Sequence, residues 1–472
     1  MGTISSAFSM MSEALDADQA ALNVVANNVA NANTTGYAEE TPTWQENDPV
    51  TIGGTSYGTG VTMTGPTSAR DKVLEERLDQ QQQLASASSA RLTALNSVQA
   101  VFTVASSSSS SSTAGNIGTD LTNFFDTYST LQGEPTNNSY REAVLSAAGT
   151  LASDVSGAAA NLQSQRTALD QEAGGVASQV NSLTSAIAQL NQQIVATSPN
   201  SDAGTLEDQR QQDLSQLSQL VGINQIQTEN NSLSITTTSG QLLVAGDSSN
   251  QLTTSTVNGV TDFFVGGTDI TSDLTSGGGQ LGGYLTARDQ DIPNVLSSLD
   301  QLAYSVSTQV NKLNNNGTDL AGDTTNAGDI FSEPTAVSGS ALAMSVVMTD
   351  PNHIAAASST GGTGDNSNAV TMAALANQTV VNGETPINYY SNFVSTLGAT
   401  VSQVQTENTA QEASVTQLQT QNNELSSVNL NDEASAMSTL ERSYQAASQV
   451  FTMLNTVMAS VLNLGLETTV SQ

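Results

Sequence analysis

The sequence predicts a mainly α protein with a smaller β part. The chain is expected to be an elongated, multi-domain axial structure, with its N- and C-terminal helices paired as a coiled coil, a helical-bundle middle domain and a β-rich insert. Three observations carry this. Apolar residues recur in alternating steps of three and four along most of the chain, the spacing of a helix that lays one face on a partner. From Ile223 to about Ile270 the period falls to two, the spacing of strands. Aromatic residues make up only 4% of the 472, which disfavours one large compact core; this length suggests roughly three domains at about 150 residues each.

The first helix carries Ile4, Phe8, Met11, Leu15, Leu22, Val25 and Val29 in one stripe, with Asp18 in the missing seat. It stops at the polar run Asn31-Ala32-Asn33-Thr34-Thr35-Gly36-Tyr37, with glycine where a helix C-cap wants it. From Glu39 to about Pro66, prolines and glycines punctuate Thr/Val-rich pieces, which reads as loops with two or three short strands. A helix starts near Ser68 with Asp71 as its capping-box partner, and its seam runs from Leu74 to Phe102. The serine run Ser106–Ser112 is a flexible break. Ser139 and Glu142 form a second capping box and open the longest helix, whose seam runs from Val144 to Ile194. A stutter at Val176, beside Gly174-Gly175, predicts local unwinding or a bend. Pro199 ends this helix, after roughly 85 Å at about 1.5 Å per residue.

Residues 205–221 form a shorter helix, and strands follow, with turns at Ser239-Gly240 and Asn258-Gly259. Helix returns from about Gly283 to Asn314, with Pro293 as a candidate kink, and residues 330–370 read as short strands and loops. Asn382-Gly383 marks a further turn. A long helix from Tyr389 to Leu425 keeps the heptad, with polar Asn408, Gln411 and Asn422 in its seam. Asn429–Glu433 caps the last helix, whose stripe is Met437, Leu440, Tyr444, Ala447, Phe451, Leu454, Met458 and Val461. The two terminal helices lack local partners, so pairing them with each other gives a domain of residues 1–40 plus 428–472. The helical middle is then 41–221 plus 283–427, with the β-rich insert at 222–282. A lone pair of such helices buries little on its own, so both terminal segments are expected to order on assembly.

Composition narrows the function. Ten basic residues against 44 acidic give a net charge of −34, too few cations to neutralise nucleic-acid phosphates or to dock on anionic lipid. No run of about 18 apolar residues predicts a membrane span, and no secretory signal is present. With no cysteine and one histidine, His353, the chain has neither thiolate chemistry nor a multi-histidine zinc site. The acids Asp319, Asp323 and Asp329 lack calcium-loop spacing and read as a solvated loop. The Gly-rich runs lack a following Lys-Ser/Thr, and Trp44 reads as a loop anchor. No catalytic residue, cofactor or metal site is expected. The remaining readings are a structural protein and a secreted adhesin or hydrolase with coiled arms.

Ala21-Leu22-Asn23-Val24-Val25-Ala26-Asn27-Asn28-Val29-Ala30-Asn31-Ala32-Asn33-Thr34-Thr35-Gly36-Tyr37 closely resembles the N-terminal signature of the flagellar rod, hook and hook-associated axial proteins. Tyr57-Gly58-Thr59-Gly60-Val61 with Arg70-Asp71 is similar to the next segment of that family. Val428-Asn429-Leu430-Asn431-Asp432-Glu433-Ala434 and Tyr444-Gln445-Ala446-Ala447 resemble its C-terminal signature. The helical stretch 72–220, the β insert and the segments around Asp350–Ala357 and Asn368–Leu375 resemble the hook-associated branch rather than rod or hook proteins. Thr35 stands where the family usually has proline, and Ala38-Glu39-Glu40 where it usually has a basic residue; the chain is short for the family. The resemblance implies a subunit of the hook–filament junction, self-assembled as a ring between the hook protein and a second junction protein. It also implies flagellar type III export to the cell exterior, with a chaperone on the C-terminal helix. It places Asn27, Asn28, Asn31, Asn33, Gly36 and Tyr37 in the assembly interface beside the two apolar stripes.

Overall fold

The computed structural model of the chain describes residues 2–34, 36–52, 54–102, 117–198, 203–257, 259–323 and 327–467. Among the described residues, 67% are helical and 13% are in strands or bridges. No helix among them is long and apolar enough to cross a membrane.

Helix α1 (Gly2–Asn31) ends as expected: Thr34 N–H donates to the Asn31 carbonyl at 2.8 Å, and Gly36 takes φ +82°, which a side chain would resist. Thr35 lies outside the described residues. Strands β1 (Glu40–Glu46), β2 (Val50–Ile52), β3 (Thr55–Tyr57) and β4 (Val61–Ser68) follow; β1 pairs with β4 and β2 with β3, all antiparallel. Trp44 does not anchor a loop; it sits on β1 at a bulge and is 47% exposed.

Helix α2 (Lys72–Phe102) is capped by Asp71, whose Oδ1 accepts from Val73 N–H at 3.0 Å and Leu74 N–H at 3.1 Å. The expected cap, Ser68, instead closes β4. The serine run Ser106–Ser112 lies outside the described residues. Helix α3 (Ile117–Leu131) is not among the expected elements; Ile117, Leu121, Phe124, Tyr128 and Leu131 fall at helical spacing on it and are buried. Helix α4 (Asn138–Thr197) spans 60 residues, about 90 Å. Asn137 caps it, its Oδ1 accepting from Ser139 N–H at 3.0 Å, so Ser139 is not the cap. The helix does not unwind at Gly174-Gly175. Ala173 is buried in place of exposed Glu172, so the seam rotates by one position and absorbs the stutter. Pro199 lies outside the described residues.

Helix α5 (Thr205–Leu220) leads into β5 (Ile223–Gln227), β6 (Leu233–Thr237), β7 (Leu242–Ala245) and β8 (Ser248–Ser249), a four-stranded antiparallel meander. Strands β9 (Leu252–Val257), β10 (Val260–Val265) and β11 (Thr268–Asp269) form a second sheet with β10 central. Asn258 of the expected turn lies outside the described residues; Gly259 has φ +80°. After α6 (Thr271–Gly277) and α7 (Gly279–Thr286), one π-helical stretch (Ala287–Asp291) joins α8 (Ile292–Asn315). Pro293 is therefore no mid-helix kink. It sits in the first turn of α8, where a missing N–H costs nothing, and the irregularity precedes it.

The strands expected over 330–370 are absent among the described residues; isolated bridges Phe331↔Val346 and Thr318↔Ala357 stand there with short helices α9 (Ser340–Ala343) and α10 (Ser367–Ala374). Asn382 and Gly383 take φ +48° and +83°, as a tight turn of this composition should. Helix α11 (Pro386–Ser426) and helix α12 (Leu430–Glu467) complete the chain. Asn429 Oδ1 caps α12 by accepting from Asn431 N–H at 3.1 Å.

The chain folds into two compact units, one of Met1–Gln83, Gln179–Leu252 and Glu412–Gln472, the other of Leu84–Ser178 and Thr253–Gln411. Residues 222–282 are thus shared between the units rather than forming one insert. In the first unit the buried Asn191 donates to the carbonyls of Leu233 and Gly246 at 2.8 Å each, and accepts from Arg210 at 3.0 Å, binding α4 and α5 to the four-stranded sheet. The second unit holds a continuous apolar core that includes Leu95, Phe124, Tyr128, Leu162, Leu299, Phe331 and Leu397. Two arginines are buried in it. Arg288 bonds to Asp170 at 2.6 Å, to Asp289 and to the Thr261 carbonyl; Arg141 reaches the carbonyls of Pro135 at 2.8 Å and Ile354 at 2.5 Å. Asp319 is not solvated: it is almost fully buried, accepting from Asp323 N–H at 2.9 Å and lying 2.7 Å from His353 Nδ1. Asn408, a polar seam residue of α11, is met by the Ser88 hydroxyl of α2 at 3.0 Å.

Candidate assembly interface

The terminal helices α1 and α12 pack on each other within the first unit. Phe8 and Phe451 meet with ring centroids 4.4 Å apart, tilted by 36°. Towards the end of α1 the packing closes over small residues. Ala17, Ala21, Val24, Val25 and Asn28 are buried, while Val29 is 41% exposed. The seam is thus turned by about one residue from the expected stripe. Met11, Leu15, Asp18 and Leu22 sit half-buried at its flank. Ile4 lies on α1, with its side chain outside the described residues. The physical reason is the alanines: steps of four and three through Ala17, Ala21, Val24 and Asn28 let the chain approach closely, and a search for large side chains misses them.

On α12, Met437, Leu440, Ala447, Phe451 and Leu454 are half-buried, and Tyr444, Met458 and Val461 are exposed. A second set, Val450, Met453 and Val457, lies outside the expected stripe at spacings of three and four, with Met453 65% exposed. The helix therefore presents apolar surface on more than the face that α1 occupies.

Asn28, 1% exposed, is the node of this region. Its Nδ2 donates to the Glu40 carbonyl and to Glu433 Oε1, both at 2.8 Å. Its Oδ1 accepts from Tyr37 O–H at 2.7 Å and Glu40 N–H at 3.0 Å. A buried asparagine has two donors and two lone pairs to satisfy, and here all four are used. Asn27 Nδ2 approaches the Tyr37 oxygen at 3.4 Å, and Asn31 Nδ2 donates to Asn27 Oδ1 at 2.9 Å. Asn33 is exposed and joins none of this. Burial, with Glu40, Asp208, Glu433 and Glu39 nearby, pushes the Tyr37 hydroxyl up, so it remains a donor. Burial also raises Glu433, against the stabilising Asn28 bond. Glu433 lies in the Val428–Ala434 motif, but nothing in the sequence ties it to Asn28.

Around the node lies a layer that sequence reading missed. Glu39 N–H donates to the Ser426 carbonyl at 2.9 Å, strapping the segment after α1 to the end of α11. Arg70, with 4% of its side chain exposed, pairs with Glu75 at 2.5 Å and with Asp208, and reaches the Gly36 carbonyl at 3.3 Å. Burial nevertheless raises Glu75, outweighing Arg70. Asp79 is buried, and among the described residues no cation pairs with it; Gln211 and Gln225 donate to its Oδ2 at 3.0 and 2.8 Å. Burial pushes its carboxyl up to about 7. A polar cavity of about 260 Å³ adjoins it, lined among others by Tyr37, Glu75, Asp79, Gln211, Gln419 and Asn422. Among the described residues no group of three or more His, Cys, Asp or Glu could hold a metal ion.

Residues 106–331 match the family model described as "Flagellar hook-associated protein FlgK helical domain", and residues 10–37 match "Flagella basal body rod protein". The chain is 24% identical to flagellar hook-associated protein 1 of Escherichia coli (strain K12), over 95% of this chain and 98% of that protein. It is 26% identical to the protein of the same name from Bacillus subtilis (strain 168), over 95% and 96%. The chain is similar to flagellar hook-associated protein 1 along most of its length. Its fold is also that of the flagellar hook junction protein FlgK from Burkholderia pseudomallei, with a TM-score of 0.63 at 20% identity, covering 73% of this chain and 99% of that one. The terminal signatures fall on α1 and the start of α12. The Asn28 node is thus where the N- and C-terminal signatures meet in space.

Proposed function

We propose that this chain is a structural subunit of the bacterial flagellum, placed at the junction of hook and filament. The match to hook-associated protein 1 along 95% of the chain, from two distant bacteria, carries the reading. In this reading residues 1–40 plus 428–472 form the assembly domain, and copies associate into a ring through the α1 and α12 stripes. The hook protein lies on one side and a second junction protein on the other. The subunit leaves the cell through the flagellar type III channel, with an export chaperone on α12 until then. No side chain is assigned a catalytic role: His353 has an orienting acid in Asp319, but the likeness is to a structural protein throughout. A rod or hook protein is not favoured, because the helical middle matches the hook-associated model.

The test is electron microscopy of cells lacking this chain. Hooks without filaments, restored by the intact gene, are expected. Normal filaments, or absent hooks, would overturn the junction assignment.

A further inference from the structure

The second unit carries a cleft of about 350 Å³ between α2, α8 and α11. This is at the lower end of the size of ligand sites, about 300–1,000 Å³. Its floor is apolar, with Leu95, Val295, Phe393 and Leu397. Two carboxylates, Asp291 and Glu384, stand among its lining residues, and no lysine or arginine does. Asp291 is already neutralised, because Arg91 donates to both its oxygens at 2.8 and 2.9 Å. Glu384 accepts from the Asn392 amide at 2.6 Å, but among the described residues no cation pairs with it. Tyr389 also lines the cleft.

We propose that this cleft receives an arginine or lysine side chain from an apolar segment of a partner protein. The stem packs on Phe393, and the charged head pairs with Glu384. Charge complementarity selects this occupant, since the uncompensated charge at the site is negative and the apolar floor matches an aliphatic stem. The volume fits one long side chain rather than a folded element. A protein source, rather than a free amine, rests on the reading of the chain as a structural subunit.

The test is made on the free full-length chain, so it does not depend on flagellar assembly. Amide shifts of Leu95, Phe393 and Thr396 are followed by NMR as acetyl-Leu-Arg-Leu-amide is added. Saturable shifts are expected. The peptide with citrulline in place of arginine should bind about fivefold or more weakly, and Glu384→Gln, which keeps the acceptor for Asn392, should weaken the arginine peptide to a similar degree. Thr396→Phe, at an exposed position on the rim, should block binding without touching the core. Equal binding of the citrulline peptide, no saturable shift at millimolar peptide, or unchanged binding by Thr396→Phe would each overturn the proposal. Butylguanidine binding as tightly as the peptide would make the cleft a small-amine site and overturn the protein source.

Discussion

The Asn28 amide meets the Glu433 carboxylate at 2.8 Å, joining residues 405 apart in sequence. With the other side of the amide closed on Glu40 and Tyr37, this one side chain fixes α1, the start of β1 and the start of α12 to each other. Replacing it with leucine would take a buried hydrogen-bond partner from Glu433 and from the Glu40 backbone, and unmade bonds cost more than made ones return.

Asn28→Asp therefore makes a sharp test. The change removes both donors and sets a second carboxylate beside Glu433. It is expected to destabilise the docking of α1 on α12 by on the order of 2–4 kcal/mol at neutral pH. Adding Glu433→Gln restores a donor across the pair and should recover part of the loss. Hydrogen exchange at Val24 and Val25 reads the effect. A double variant no better than Asn28→Asp alone would show that the coupling lies elsewhere.

Long apolar periods were legible in the sequence, and features set by contact between distant residues were not. The seams of α2, α4 and α11 announced themselves because leucine, valine and isoleucine recur every three to four residues. Helix starts were misread at Ser68 and Ser139 because a capping-box pattern does not say which nearby polar side chain reaches the free N–H groups; Asp71 and Asn137 do. The end of α1 was read, but its buried face was not, since alanine seams carry little hydropathy. Asp319 looked solvated for a similar reason: its burial follows from His353 and the Asp323 backbone, which no local pattern links to it.

Asp79 gives the chain a pH dependence of unusual sign. Its carboxyl is raised to about 7 in the folded protein, from an ordinary value of 3.8. Over that interval the folded state holds a proton that the unfolded chain has released, so the first unit loses stability as pH rises through it and is weakest above. Asp79→Asn keeps an acceptor for Gln211 and Gln225 and carries no charge. It is expected to stabilise the chain at pH 8 by on the order of 2–4 kcal/mol, with the advantage vanishing below about pH 4. Thermal unfolding at both pH values checks this, and an equal effect at both would sink it.

Arg141 is expected to resist conservative replacement. It is 1% exposed and reaches the Pro135 and Ile354 carbonyls from opposite edges of one planar fork. A lysine has three donors on one atom and cannot span both carbonyls. Arg141→Lys should cost on the order of 2–4 kcal/mol in the second unit, since a buried charge would be left incompletely bonded. Urea unfolding of the variant provides the measure, and a loss below about 0.5 kcal/mol, the ordinary surface range, would contradict it.

The exposed stripe of α12 separates stability of the chain from assembly. Met453 is 65% exposed, so Met453→Asp should change the stability of the isolated protein by less than about 0.5 kcal/mol. In an assembly where a neighbouring copy covers Val450, Met453 and Val457, the same change buries an unpaired charge. Filament attachment should then fail while the monomer melts normally. Asp18, half-buried at the flank of the α1 seam, makes the complementary test: if it meets a polar group of a neighbouring copy and sets register, Asp18→Leu should impair attachment with stability intact. Hydrogen exchange should likewise be fast along the second half of α12 in the dilute monomer and slow in the assembled junction. Normal motility of the Met453→Asp strain, or slow exchange at Val450 and Val457 in the monomer, would mean that this face is not where copies meet.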